Sequence, residues 1–215
     1  MRFLYYVNLI ALFCFLGCQK KTTTVLKTDE KTIPTPQKIT VLWKKSTDTS
    51  FQFITKAVVY GKEIKGILFL KKESDSLYKT SFLAQGALKL FEMDLLPDTF
   101  IVHKRAKQID KHVVLKALAD DLRLITFELH KTLYPVSVFK EPLITTLRVP
   151  YQKTDLYYLF DPNTSNLKEL VRTNSDKGRS ITILFNNYQQ GVPQNINLKH
   201  HKFRLQIDLT LLKSE

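Results

Sequence analysis

The chain has 215 residues, with 33 Lys+Arg against 20 Asp+Glu and a formal net charge of +13 at pH 7. That length suits one domain with a sizeable core. Two cysteines and six glycines leave little for a disulfide framework, a Cys-based metal site or a glycine-rich phosphate cradle.

Arg2 precedes an apolar run from Phe3 to Leu16, interrupted mainly by Asn8, which ends in Phe15-Leu16-Gly17-Cys18. A short basic start, a short apolar stretch and a small residue at the cut site make a secretory signal peptide. At about 14 residues the stretch is too short for a spanning helix, which needs roughly 20. The Cys directly after Gly17 resembles the end of a bacterial lipobox. That resemblance implies removal of residues 1–17 and lipidation of Cys18 as the new N-terminus. One acyl chain anchors weakly, so stable attachment would take two or three. Gln19, Lys20 and Lys21 follow. The lack of Asp there resembles lipoproteins bound for the outer membrane, and the lack of an acidic cluster favours the periplasmic face. Basic charge can favour anionic headgroups or nucleic acid. Export argues against nucleic acid, and the dispersed lysines fit a solvated surface.

Residues 18–36, rich in Lys and Thr and carrying Pro34 and Pro36, read as a flexible tether. The folded domain is expected over 37–215. Its first half is a series of strand candidates: Phe51 to Tyr60, Ile64 to Leu70, Tyr78 to Ala84, Leu88 to Leu95 and Thr99 to Lys104. Gly61, the Lys71–Ser76 polar cluster, Gly86 and Leu96-Pro97-Asp98 separate them. Spacings near ten residues with short turns predict an antiparallel meander.

The period then changes. Asp110 can cap a helix, and Val114, Leu115, Leu118, Leu122 and Ile125 recur at 3-and-4 spacing. A helix over about 110–126 is predicted, with Lys111, Lys116, Asp120, Asp121 and Arg123 on its solvated side. Pro135 and Pro142 argue against a long helix over 127–142. Strands return at Leu143 to Tyr151, Leu156 to Phe160, Leu167 to Arg172, Ser180 to Tyr188 and Val192 to Leu198. The last is the clearest: Phe203, Leu205, Ile207, Leu209 and Leu211 alternate with Arg204, Gln206, Asp208 and Thr210, one buried face and one wet face.

The fold class is therefore mainly β (α+β), a large antiparallel sheet of about ten strands with a helical insert midway. A sheet of that size curls. A curled sheet with a helix across its mouth encloses an apolar cavity. This order of elements resembles the LolA/LolB-like fold of lipoprotein-carrier proteins, an unclosed half-barrel lidded by helices. The resemblance covers roughly residues 50–212. It is carried by Tyr78–Gly86 through Phe91 to His103, and by Ser180–Pro193 through Leu211. It implies a pocket for acyl chains of lipid or lipoprotein cargo and a periplasmic carrier protein as partner. The side chains expected to line that pocket are Phe82, Phe91, Met93, Leu118, Leu122, Leu147, Val149, Ile183, Phe185, Leu205 and Ile207. The loop Ala84-Gln85-Gly86-Ala87 lacks the large apolar residue that the LolB branch presents there.

No catalytic constellation, metal site or cofactor motif is expected. The histidines are His103, His112, His130, His200 and His201, without a metal-ligand spacing. His200 and His201 would point to opposite faces of a strand, in a hairpin-tip or surface role. Asp120-Asp121 read as a solvated helix face, and Trp43 as packing outside the barrel. The expected function is an outer-membrane lipoprotein that binds acyl chains, not an enzyme. The alternative is a structural lipoprotein that docks a periplasmic or outer-membrane partner.

Overall fold

Side chains that alternate along each strand put one row inside and one outside, and that pattern builds the whole domain. The computed structural model describes residues 49–107, 112–127, 137–140, 143–151, 153–174, 176, 178–202 and 204–215. The signal segment, Cys18, the tether, Trp43, the Asp110 cap and Phe203 lie outside these described residues.

The strands are β1 Ser50–Val59, β2 Lys62–Ser74, β3 Leu77–Ala84, β4 Leu88–Leu95 and β5 Phe100–Arg105. The helix α1, His112–Thr126, follows. Then come β6 Ser137–Lys140, β7 Thr145–Tyr151, β8 Thr154–Phe160, β9 Leu167–Thr173, β10 Arg179–Gln189, β11 Val192–His200 and β12 Leu205–Ser214. All belong to one 12-stranded sheet, and every pairing is antiparallel.

Twelve strands stand where about ten were expected. The added one is β6, a four-residue strand paired with β7 through Ser137↔Arg148 to Lys140↔Thr145. Four residues carry too little alternation to announce a strand, so pairing with β7 makes it one.

The order across the sheet is β5-β4-β3-β2-β1-β12-β11-β10-β9-β8-β7-β6. The first and last strands therefore meet in the middle, Ala57 opposite Ile207 and Val59 opposite Leu205. The two edges are β5 and β6, the strands on either side of α1 in sequence. They do not pair with each other, so the sheet is an unclosed half-barrel, and α1 belongs to the crossing from one edge to the other.

The inner rows are apolar. Tyr78, Thr80 and Phe82 of β3, Phe91, Met93 and Leu95 of β4, and Leu205, Ile207 and Leu209 of β12 are all buried. All of these but Thr80 join Leu147, Val149, Leu156 and Ile183 from the other half, and Leu115, Ala119, Leu122 and Ile125 of α1, in one core cluster. Among the described residues that cluster runs from Phe51 to Leu209, within the span 37–215. No helix among the described residues is long and apolar enough to cross a membrane.

Polar groups that cross between strands trim the ends. Tyr188 of β10 donates its hydroxyl to the Leu167 carbonyl of β9 at 2.6 Å. Tyr188→Phe removes one donor and should cost about 0.5–1.5 kcal/mol, read as a lower urea midpoint with unchanged slope. An unchanged midpoint would show that this bond adds nothing net.

A candidate apolar cavity under the helix

α1 lies with its stripe of Leu115, Ala119, Leu122 and Ile125 against the inner face of the sheet. Its two halves are held very differently. In the C-terminal half, every residue from Asp121 to Phe127 is buried. Phe127 meets Tyr78 edge-to-face with ring centroids 5.1 Å apart. Arg123 donates to the Pro97 carbonyl in the β4–β5 turn, and to Asp120 Oδ1 at 3.2 Å. In the N-terminal half Val113 is exposed, and Val114 and Leu118 are only half-buried.

Under that looser half is a cavity of about 50 Å³, bounded by Thr55, Ala57 and Val59 of β1, Ile64 and Leu68 of β2, Phe82, Leu90 and Phe91 of β3–β4, Ile207 of β12, and Val114, Leu118 and Leu122 of α1. Its exposed lining is all carbon. Val59, Ile64, Val114 and Leu118 are the half-buried members. Val59 and Ile64 flank the Tyr60–Gly61 turn, so the cavity reaches the surface at that rim. Of the side chains named from sequence, Phe82, Phe91, Leu118, Leu122 and Ile207 meet at this cavity. Met93, Leu147, Val149, Ile183, Phe185 and Leu205 are buried in the surrounding core and do not line it.

Two charged groups read as solvated are inside. Asp121 is wholly buried, and His200 Nε2 donates to its Oδ2 at 2.7 Å. The other oxygen, Oδ1, has no hydrogen-bond partner among the described residues. Burial pushes the Asp121 carboxyl above its ordinary value of 3.8, while the His200 hydrogen bond and then the His200 and Arg172 charges pull it down. Arg123, also assigned to the wet face, is buried. The reason is geometric: α1 sits inside the curl, so its C-terminal half meets protein on all sides. The pair ties α1 to the end of β11, across 79 residues of sequence.

The adjacent histidines do diverge. His201 faces outward and meets Thr182 Oγ1 at 2.9 Å. His103 lies 3.0 Å from Asp94 across β4 and β5. No group of three or more metal-ligating side chains occurs among the described residues.

The fold has known counterparts. A domain assigned to outer membrane lipoprotein sorting, from Vibrio parahaemolyticus, aligns at a TM-score of 0.52 with 11% identity, over 78% of this chain and 85% of that one. A LolA superfamily protein from Nitrosomonas europaea aligns at 0.50 with 10% identity, over 82% and 94%. The chain has the LolA/LolB-like fold. No protein-family model matches its sequence, and no curated protein does.

Proposed function

We propose that this is an envelope lipoprotein, anchored to the outer membrane through Cys18, whose half-barrel takes up acyl chains of lipids or lipoproteins. The observation that carries the reading is the all-carbon cavity between α1 and β1–β4, open at one rim. An acyl chain offers no hydrogen bonds, so a dry cavity binds it through buried area alone, at about 25 cal/mol per Å². Polar cargo would leave its groups unpaired there. The aligned Vibrio parahaemolyticus domain supplies a precedent for lipoprotein sorting on this fold.

The cavity measures about 50 Å³. Pockets that hold drug-sized ligands run to roughly 300–1,000 Å³. Uptake therefore needs α1 to lift. Its N-terminal half is the end that would move, because the Arg123, Phe127 and Asp121 contacts all lie in the C-terminal half, and the cargo would have to cover Leu115, which that motion uncovers.

The test is to purify residues 37–215 from cells, extract the domain and identify bound lipid by mass spectrometry, then titrate the emptied domain with a fluorescent fatty acid. Stoichiometric acyl lipid, or saturable probe binding, is expected. A domain that is empty and ignores the probe would instead be a docking lipoprotein that uses the fold as a surface.

A further inference from the structure

Most cations on the sheet are answered by a carboxylate, as in Lys56–Glu63 at 2.8 Å, Lys89–Glu92 at 2.7 Å and Arg179–Glu169 at 2.7 Å. Eight described cations have no ion pair: Lys62, Lys104, Lys107, Lys153, Arg172, Lys199, Lys202 and Arg204. Lys62, Lys107, Lys199, Lys202 and Arg204 fall at one rim. Lys62 opens β2 after the Tyr60–Gly61 turn, Lys107 follows β5, and the other three flank the β11–β12 turn. The Tyr60 amide donates to the Arg204 carbonyl at 2.8 Å, which joins two of those turns directly. Lys199, Lys202 and Arg204 line an open cleft of about 420 Å³ with Gly61. Burial first, then the charges of Lys199 and Arg179, hold the neighbouring His201 imidazole below its usual value.

The same rim exposes apolar side chains. Tyr60 is 61% exposed, Leu88 45% and Val113 73%. Leu88 starts β4 just after the Gly86 turn, and Val113 is in the first turn of α1. Val59 and Ile64, half-buried members of the cavity lining, lie beside these residues. Unpaired cations around a mouth with an exposed Tyr, Leu and Val make an interfacial pattern. Lysine and arginine meet phosphates, tyrosine sits at headgroup level, and aliphatic tips enter the acyl boundary.

We propose that this rim docks on a bilayer of anionic phospholipid, with the cavity mouth turned toward the lipid. An acidic protein would satisfy the cations. The rim also exposes Tyr60, Leu88 and Val113 beside the apolar cavity, and cations combined with such side chains match the headgroup and acyl layers of a bilayer better than an acidic protein surface. The tether expected over residues 18–36 could span at most about 70 Å, so an anchor at Cys18 leaves this rim free to reach a membrane. The proposal shares the cavity with the reading above but needs no bound cargo.

The test is co-sedimentation of residues 37–215 with phosphatidylglycerol–phosphatidylethanolamine vesicles and with pure phosphatidylcholine vesicles. Binding is expected only to the anionic vesicles, and it should weaken with salt. Near a membrane each cation contributes roughly fivefold in affinity. The triple variant K199Q/K202Q/R204Q should therefore bind about a hundredfold more weakly. The control triple K71Q/K72Q/K213Q, at the opposite end of the sheet, makes the same change in net charge and should bind nearly as wild type. Equal loss in both triples, or no binding by the wild type, overturns the proposal. Binding to an acidic polypeptide but not to vesicles also overturns it and assigns the rim to a protein. The fatty-acid probe should bind the rim triple as it binds wild type, so failure of docking and failure of cargo binding are read separately.

Discussion

His200→Ala should destabilise the domain by about 3–5 kcal/mol, the cost of leaving the Asp121 carboxylate buried without its donor. Asp121 is completely buried and its Oδ1 already lacks a hydrogen-bond partner among the described residues, so His200 carries most of the compensation. The groups facing it are His200 from β11, Arg172 from β9 and Asp120 from its own helix. The first two favour the charged form and the third opposes it, yet burial outweighs them and the folded pKa stands above 3.8.

The sign of the pH effect follows from that. A carboxyl whose pKa is raised on folding binds its proton more tightly in the folded chain. Its contribution is most favourable below the unfolded value near 3.8 and is lost as pH rises through the raised folded value. The His200→Ala penalty should therefore be large near neutrality and should shrink in acid, where the stranded carboxyl takes up a proton. Asp121→Asn should flatten that dependence. Urea unfolding across a pH series measures both. A His200→Ala midpoint equal to wild type at pH 7 would rule out this account of the pair.

Gly66→Ala should cost toward the upper end of roughly 1–3 kcal/mol, and it should do so by spreading two strands. Gly66 lies in β2 opposite Ala84 of β3. A Cβ placed there would collide with the Leu83 carbonyl oxygen, and would come within 2.8 Å of both the Ala84 Cα and the Phe82 ring. Two of those obstacles are backbone, so rotamer changes cannot relieve them. Phe82 also lines the cavity, so the variant should weaken fatty-acid binding as well as lower the thermal midpoint. Gly61→Ala is the useful contrast. Its Cβ would meet open space, and its penalty comes only from a φ of +83°. If Gly66→Ala proves no worse than Gly61→Ala, the close approach of β2 to β3 is not as tight as described.

How far these features could be read from the residues depended on whether the cause was local. Leu205, Ile207 and Leu209 announce a half-buried strand because alternation is a property of the strand itself, and all three are buried. Val114, Leu115, Leu118 and Ile125 announce α1 for the same reason. Asp121 was misassigned although a signal was present. It stands three residues after Leu118 and four before Ile125, which puts it on the apolar stripe, and a carboxylate there needs an inward partner. That partner, His200, is supplied by tertiary structure from the far end of the chain. Gly66 sat unnoticed in the run from Ile64 to Leu70, because its meaning lies in how close β3 comes. Within the cavity list, the sequence indicated which faces turn inward. It gave no measure of how fully α1 fills the space, and six of the eleven named side chains are buried away from this cavity.

The pairing of β1 with β12 has a consequence for synthesis. The two arms of the sheet, β1–β5 and β6–β12, share no ladder except through that central seam. The seam needs residues as late as Ser214, which pairs with Phe51. A chain emerging N-terminus first therefore holds β1 with one side unpaired until almost the last residue has appeared. Contacts of such long sequence separation are slow to form, and the waiting edge is open to foreign strands. The half-barrel therefore stays in two separate arms until the chain is almost complete.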